Sequence, residues 1–169
     1  MNPQDWTSLV DWMAAFRALH EQARRGKLDP HAVARYEQDR EVLAKALLIA
    51  QRLSVKPGQT ARQTLRVHLT LPVKLVFGDR REQTTTLDLG LGGFAAFLPK
   101  SVRVLERPEF TLTLRGAGRP VSGRAKVVNV QRKGQPYRVA FSFEDLPTAE
   151  AQRIGLEVFD AALATIPPN

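Results

Sequence analysis

The hydrophobic period of this chain changes at Lys56-Pro57-Gly58, and any fold must accommodate that change. Ahead of it, stripe residues recur at alternating spacings of three and four: Trp6, Leu9, Met13, Phe16, His20 and Ala23, then Val33, Tyr36, Leu43, Leu47 and Ala50. Such spacing lines one face of a helix. Behind it, Leu65, Val67, Leu69 and Leu71 alternate with polar residues, and Val73, Leu75 and Phe77 continue the alternation past Pro72, which is the period of a half-buried strand. Proline followed by glycine interrupts either pattern. The sequence therefore reads as a helical hairpin over 1–55, a linker over 56–61 and a β-rich domain with a closing helix over 62–169.

Local signals sharpen the elements. Asn2-Pro3-Gln4-Asp5 combines a capping side chain, proline at the first helical position and an early acid, and Arg24-Arg25-Gly26 supplies the closing cations and an αL-capable stop. Asp29-Pro30 starts a second helix that runs to about Leu53. Both stripes must be covered, by each other, by the β domain or by a second copy of the chain. Trp12 lies off the seam, as a partner contact or a cover for the barrel edge. Six strands are expected: Leu65 to Phe77 with a bend at Pro72, Thr84 to Leu87, Phe94 to Leu98, Phe110 to Leu114, Val121 to Val130 and Tyr137 to Phe143. That number closes a small antiparallel barrel. Thr148 then caps a helix to about Ala164, whose Ile154, Val158, Ala161 and Leu163 are placed to cover one barrel opening. The fold class is α+β.

Charge narrows the function classes. The net charge is +8; residues 1–53 carry 8 basic and 7 acidic side chains, whereas 54–169 carry 17 and 10. The positive field sits on the β domain and favours an anionic partner. With 0 cysteines there is no disulfide framework and no thiolate metal site, which agrees with a cytoplasmic location. No run of about 20 apolar residues marks a membrane span. His20, His31 and His68 lack metal-ligand spacing, and no HExxH, nucleophile elbow or Walker loop occurs, so neither an enzyme nor a metal cofactor is expected.

Two clusters flank the first hairpin. Arg62-Gln63-Thr64-Leu65-Arg66 places two guanidinium groups before the first strand, and Asp88-Leu89-Gly90-Leu91-Gly92-Gly93 follows the second. If the hairpin joins them, two arginine forks, a carboxylate and glycine backbone converge on one patch. Arginine binds phosphate or the guanine O6/N7 edge in a bidentate manner, carboxylate accepts from guanine N1–H and N2–H₂, and glycine permits close approach. A purine carrying phosphate fits that chemistry.

Arg62 and Arg66 resemble the RxxxR motif, and Asp88 to Gly93 the D/NxSxxG motif, of PilZ domains. Leu71-Pro72-Val73, Leu91-Gly92-Gly93-Phe94 and Tyr137-Arg138-Val139-Ala140-Phe141 also look like that family, over roughly residues 60 to 160. The resemblance implies a β-barrel receptor for cyclic di-GMP. It implies that Arg62 and Arg66 clasp phosphate and the Hoogsteen edge of guanine, that Asp88 meets a guanine edge and that Gly93 keeps the turn tight. Gly90 stands where the motif has serine, which removes a hydrogen bond worth about 0.5–1.5 kcal/mol, or up to about 3 with a charged acceptor. Ala61 stands where many members have a further arginine, favouring one bound dinucleotide over an intercalated pair. Ligand binding is expected to order the segment around Arg62 and so reset the N-terminal helices or a partner contact.

Two other readings stay open. One is a ligand-independent adaptor of the same fold that works through a protein partner, or through self-association of the N-terminal helices. The other is a small barrel binding nucleic acid with Phe94 and Phe97 as stacking platforms, although both are expected in the core beside Ala95 and Ala96. Arg103, Arg107, Arg115, Arg119, Arg124, Lys126, Arg132 and Lys133 are expected to be strand-edge and loop charges.

Overall fold

The computed structural model describes residues 4–53, 64–116, 118–131 and 134–167. The expected linker and its Pro57, together with Ala61, Arg62, Arg132 and Lys133, lie outside the described residues. The chain divides into two compact units, one of them Arg66–Ala161 and the other formed by the preceding chain with the C-terminal residues from Ala162.

In the first unit, α1 (Gln4–Arg24) and α2 (Pro30–Leu53) form the helical hairpin. Gly26, at φ +63°, ends α1, with its N–H on Ala23 O at 3.0 Å and the Lys27 N–H on Gln22 O at 2.9 Å. Asp29 Oδ1 accepts from the Ala32 N–H at 2.8 Å, capping α2. The helices meet through rings. Phe16 stacks on Tyr36 at 5.7 Å, and the Tyr36 hydroxyl shares a 2.7 Å hydrogen bond with His20 Nδ1. Trp12 does not face outward: it stacks on Phe16 at 5.8 Å, and its Nε1–H donates to Asp39 Oδ1 on α2. Phe16, His20, Tyr36 and Leu43 are buried, whereas Leu9 and Val33 of the expected stripes are exposed. Arg17 donates to the carbonyls of Leu163 (3.2 Å) and Ile166 (2.7 Å), a cationic cap on the end of α3 (Thr148–Ala164).

The second unit holds seven strands: β1 (Arg66–Val67), β2 (Pro72–Phe77), β3 (Arg80–Gly90), β4 (Gly93–Leu98), β5 (Glu109–Leu112), β6 (Val121–Gln131) and β7 (Tyr137–Glu144). Six close an antiparallel barrel in the order β3-β2-β5-β6-β7-β4, with β4 pairing back onto β3. The two-residue β1 adds to the other edge of the end of β3. The expected bent strand over 65–77 is thus two strands. Thr86 explains the break: its hydroxyl donates to Leu69 O and accepts from the Leu71 N–H, and its own N–H donates to Leu71 O at 2.9 Å, so the crossing segment is tied largely to this one residue. β3 is longer than Thr84 to Leu87, because Arg80–Thr85 pairs with β2 and Thr86–Gly90 with β4.

Phe94, stacked on Phe141 at 4.8 Å and tilted against Phe110 and Phe143, centres the barrel core. A fully buried aromatic of this kind contributes about 1.5–3 kcal/mol relative to exposure. Within this unit Ile154, Val158, Phe159 and Ala161 of α3 are buried. Ion pairs fasten the helix to the β5–β6 loop: Arg115 reaches Glu157 at 2.8 Å and Asp160 at 3.2 Å, and Arg119 reaches Glu150 at 2.6 Å. Much of the barrel's basic character is therefore locally paired. Among the described residues no helix is long and apolar enough to cross a membrane, and no group of three or more His, Cys, Asp or Glu could hold a metal ion.

Candidate functional site

Whether Asp88 faces the core or the outside is decided one residue earlier. Along β3, Thr86 pairs with Ala96 and Asp88 with Ala95, so Leu87 is an extra residue in a β-bulge. Without it, Thr86 and Asp88 would share a face; with it they lie on opposite faces. Ala96 lies on the face of Phe94 and the core, and Ala95 on the outer one. The bulge thus sends the carboxylate to the outer wall of β3, β4 and β7.

Two arginines close over it. Arg66 pairs with Gly90 across the β1–β3 ladder, and its Nη1 donates to Asp88 Oδ1 at 2.8 Å. Arg138 comes from β7, and its Nη2 donates to Asp88 Oδ2 at 2.7 Å. To reach Asp88 it must cross β4, which separates β7 from β3. The small side chain of Ala95, opposite both Asp88 and Ala140, leaves room for that crossing. Asp88 is 2% exposed, against 18% for the Arg66 side chain and 31% for Arg138. The result is a part-buried patch with one anion and two cations, in which each guanidinium is held by a carboxylate oxygen.

The glycines form the adjoining corner. Gly90 pairs with Arg66 on one side and Gly93 on the other, around the exposed turn Leu91-Gly92. Gly93 admits no side chain, because a Cβ there would overlap the backbone carbonyl of Phe141 on β7. Gly92 O accepts from the Phe143 N–H at 3.0 Å, locking the turn to the same strand.

The hairpin therefore brings together Arg66, Asp88, Gly90 and Gly93; Arg62 lies outside the described residues. Arg138 was missed as a site residue. Its outward direction was readable, since it alternates with the buried Val139 and Phe141, but the strand order that sets β7 near Asp88 was not. The phenylalanines correct another expectation. Phe94 is in the core and Phe97 is 42% exposed, because residues three apart in a strand take opposite faces.

A family model described as the PilZ domain matches residues 60–160. Among solved structures, the chain is similar to the Bacillus subtilis inhibitor of motility MotI/DgrA, at 17% identity and a TM-score of 0.55, over 63% of this chain and 53% of that one. It is similar to the PilZ domain of Escherichia coli YcgR with c-di-GMP, at 15% identity and a TM-score of 0.51, over 63% and 95%. It is also similar to Escherichia coli YcgR in complex with c-di-GMP, at 16% identity and a TM-score of 0.53, over 62% and 47%. These likenesses show the barrel fold. The chain spans about half the length of the MotI/DgrA and YcgR chains. No curated protein matches it by sequence.

Proposed function

Since this chain belongs to the PilZ domain family, we propose that it is a receptor for cyclic di-GMP and that the outer wall of β3, β4 and β7 is where the ligand docks. The observation that carries the reading is the pair of arginines fixed by Asp88 beside the Gly90–Gly93 turn. Cyclic di-GMP offers two phosphates and two guanine edges, and a guanidinium fork matches either in a planar, bidentate way. Holding both forks in place before binding reduces the side-chain ordering that association would otherwise cost, about 0.5–1.5 kcal/mol per side chain.

Asp88 acts in this reading as a positioning residue. Its two oxygens are each engaged by an arginine, so a guanine N1–H would share the carboxylate with the guanidinium groups, each oxygen having two lone pairs. Gly90 and Gly93 keep the wall low beside Arg66. Arg62, from the segment between Leu53 and β1, completes the clasp over the ligand. Because that segment joins α2 to the site, ligand binding there resets the N-terminal helices or exposes a partner contact. Unchanged distances between labels on α2 and the barrel, with and without saturating ligand, would sink this coupling.

A ligand-independent adaptor is the second reading, favoured by the same cluster: Asp88 is satisfied by two arginines of this chain, and Gly90 offers no hydroxyl. Isothermal titration of the full chain with cyclic di-GMP separates the two, with an Arg62→Ala, Arg66→Ala double variant as control. The receptor reading expects micromolar or tighter binding that the double variant loses. Absence of heat and of any thermal shift at high ligand concentration favours the adaptor.

A further inference from the structure

We propose that Phe97 forms the stacking wall of a purine-base subsite next to the arginine–aspartate cluster, an assignment that rests on the receptor reading above. Phe97 stands directly opposite Arg138 on the β4–β7 ladder, one strand spacing of about 4.8 Å away. It follows Ala95 by two residues on the same face, and Ala95 is opposite Asp88. The Phe97 Cα therefore lies about 8 Å from that of Asp88, taking one strand spacing and two residues of rise as the sides. Arg138 turns its guanidinium to Asp88. Phe97 is left 42% exposed, while Phe94, Phe110 and Phe141 of the same barrel are at most 1% exposed.

The floor between the ring and the cluster is made of Ala95 and Ala140, paired across β4 and β7. Small residues there keep the wall shallow, so a flat aromatic ligand can slide against the phenylalanine without a steric block. A base stacked on the ring would present its hydrogen-bonding edge toward Arg138 and Arg66, whose donors suit guanine O6 and N7. A lone exposed phenylalanine on a protein surface needs no special account. This one stands opposite part-buried Arg138 and beside an alanine floor, on the wall that carries the arginine–aspartate cluster, a combination that selects a planar, electron-rich, anionic ligand over inorganic phosphate.

The test is titration of the full chain with cyclic di-GMP in the wild type, Phe97→Ala, Phe97→Trp and Arg66→Ala, with the melting midpoint of each. Base-on-aromatic stacking predicts that Phe97→Ala weakens affinity about 5- to 150-fold while leaving the midpoint within about two degrees, because the ring is not in the core. Phe97→Trp should retain affinity and show indole fluorescence changes at saturation beyond those of the wild type. Wild-type affinity in Phe97→Ala, alongside loss in Arg66→Ala, overturns the subsite and leaves the receptor reading standing. Failure of the wild type to bind overturns both.

Discussion

Replacing Asp88 by alanine is predicted to destabilise the barrel and to loosen the site together. The carboxylate is 2% exposed and accepts hydrogen bonds of 2.8 and 2.7 Å from Arg66 and Arg138. A hydrogen bond to a charged group contributes about 1.5–3 kcal/mol when buried. Here the donors retain 18% and 31% of their side-chain exposure, so water recovers part of that on truncation. The expected net loss is about 2–3 kcal/mol, and about 4–12 °C in the melting midpoint for a chain of this size. Asp88→Asn keeps the shape and one acceptor but turns an amide donor toward the second guanidinium, and should cost about 1–2 kcal/mol. Arg138→Ala leaves Asp88 its Arg66 partner and should cost about 1 kcal/mol. Urea unfolding of the two singles and the Asp88→Ala, Arg138→Ala double gives the coupling, expected at about 1 kcal/mol. A loss below about 0.5 kcal/mol for Asp88→Ala, the range of ordinary surface changes, would refute the claim that this carboxylate holds the arginines.

Other perturbations have equally definite expectations. Gly93→Ala forces a Cβ into the Phe141 carbonyl, so β4 must separate from β7, at a cost of about 1–3 kcal/mol by thermal unfolding; an unchanged midpoint would contradict the close approach. Thr86→Val removes the hydroxyl that serves both Leu69 O and the Leu71 N–H, leaving buried backbone groups unpaired at about 1–3 kcal/mol, with faster amide exchange at Leu71 as the specific readout. Gly90→Ser restores a hydroxyl at the turn and should tighten cyclic di-GMP binding about 2- to 12-fold by titration; weaker binding would show that the wall tolerates no side chain there.

The elements legible in the sequence were those set by local chemistry. Gly26 and Asp29 mark where α1 stops and α2 starts, because caps act within one turn, whereas α3 begins at Thr148 with its first bond from the Ala151 N–H to Pro147 O. The barrel closure followed from strand count and period. What was not legible depends on partners distant in sequence. The alternation from Leu65 to Phe77 looks continuous, and only the bonds of Thr86, 15 to 17 residues away, show why the ladder breaks. The bulge at Leu87 has no signature in a run of threonines and leucines, yet it decides which face Asp88 takes. Arg138 is 50 residues from Asp88, and only strand order brings it near. Phe97 is a different case: its distance of three from Phe94 required the opposite face, so parity along the strand outweighs apolar character there. Trp12, off the helical seam, was captured by Asp39 through its indole N–H, a polar contact that hydrophobic periodicity does not register.

The central claim is that the Arg66–Asp88–Arg138 wall receives cyclic di-GMP. Nuclear magnetic resonance titration of the isotope-labelled full chain tests it most directly, following backbone amides and arginine Nε–H groups as cyclic di-GMP is added. The account predicts saturable shifts concentrated on Arg66, Asp88 to Gly93, Ala95, Phe97 and Arg138, with altered Nε–H resonances for both arginines. Saturable shifts that leave those residues unmoved and gather on α1 and α2, or no shifts at millimolar ligand, would contradict it.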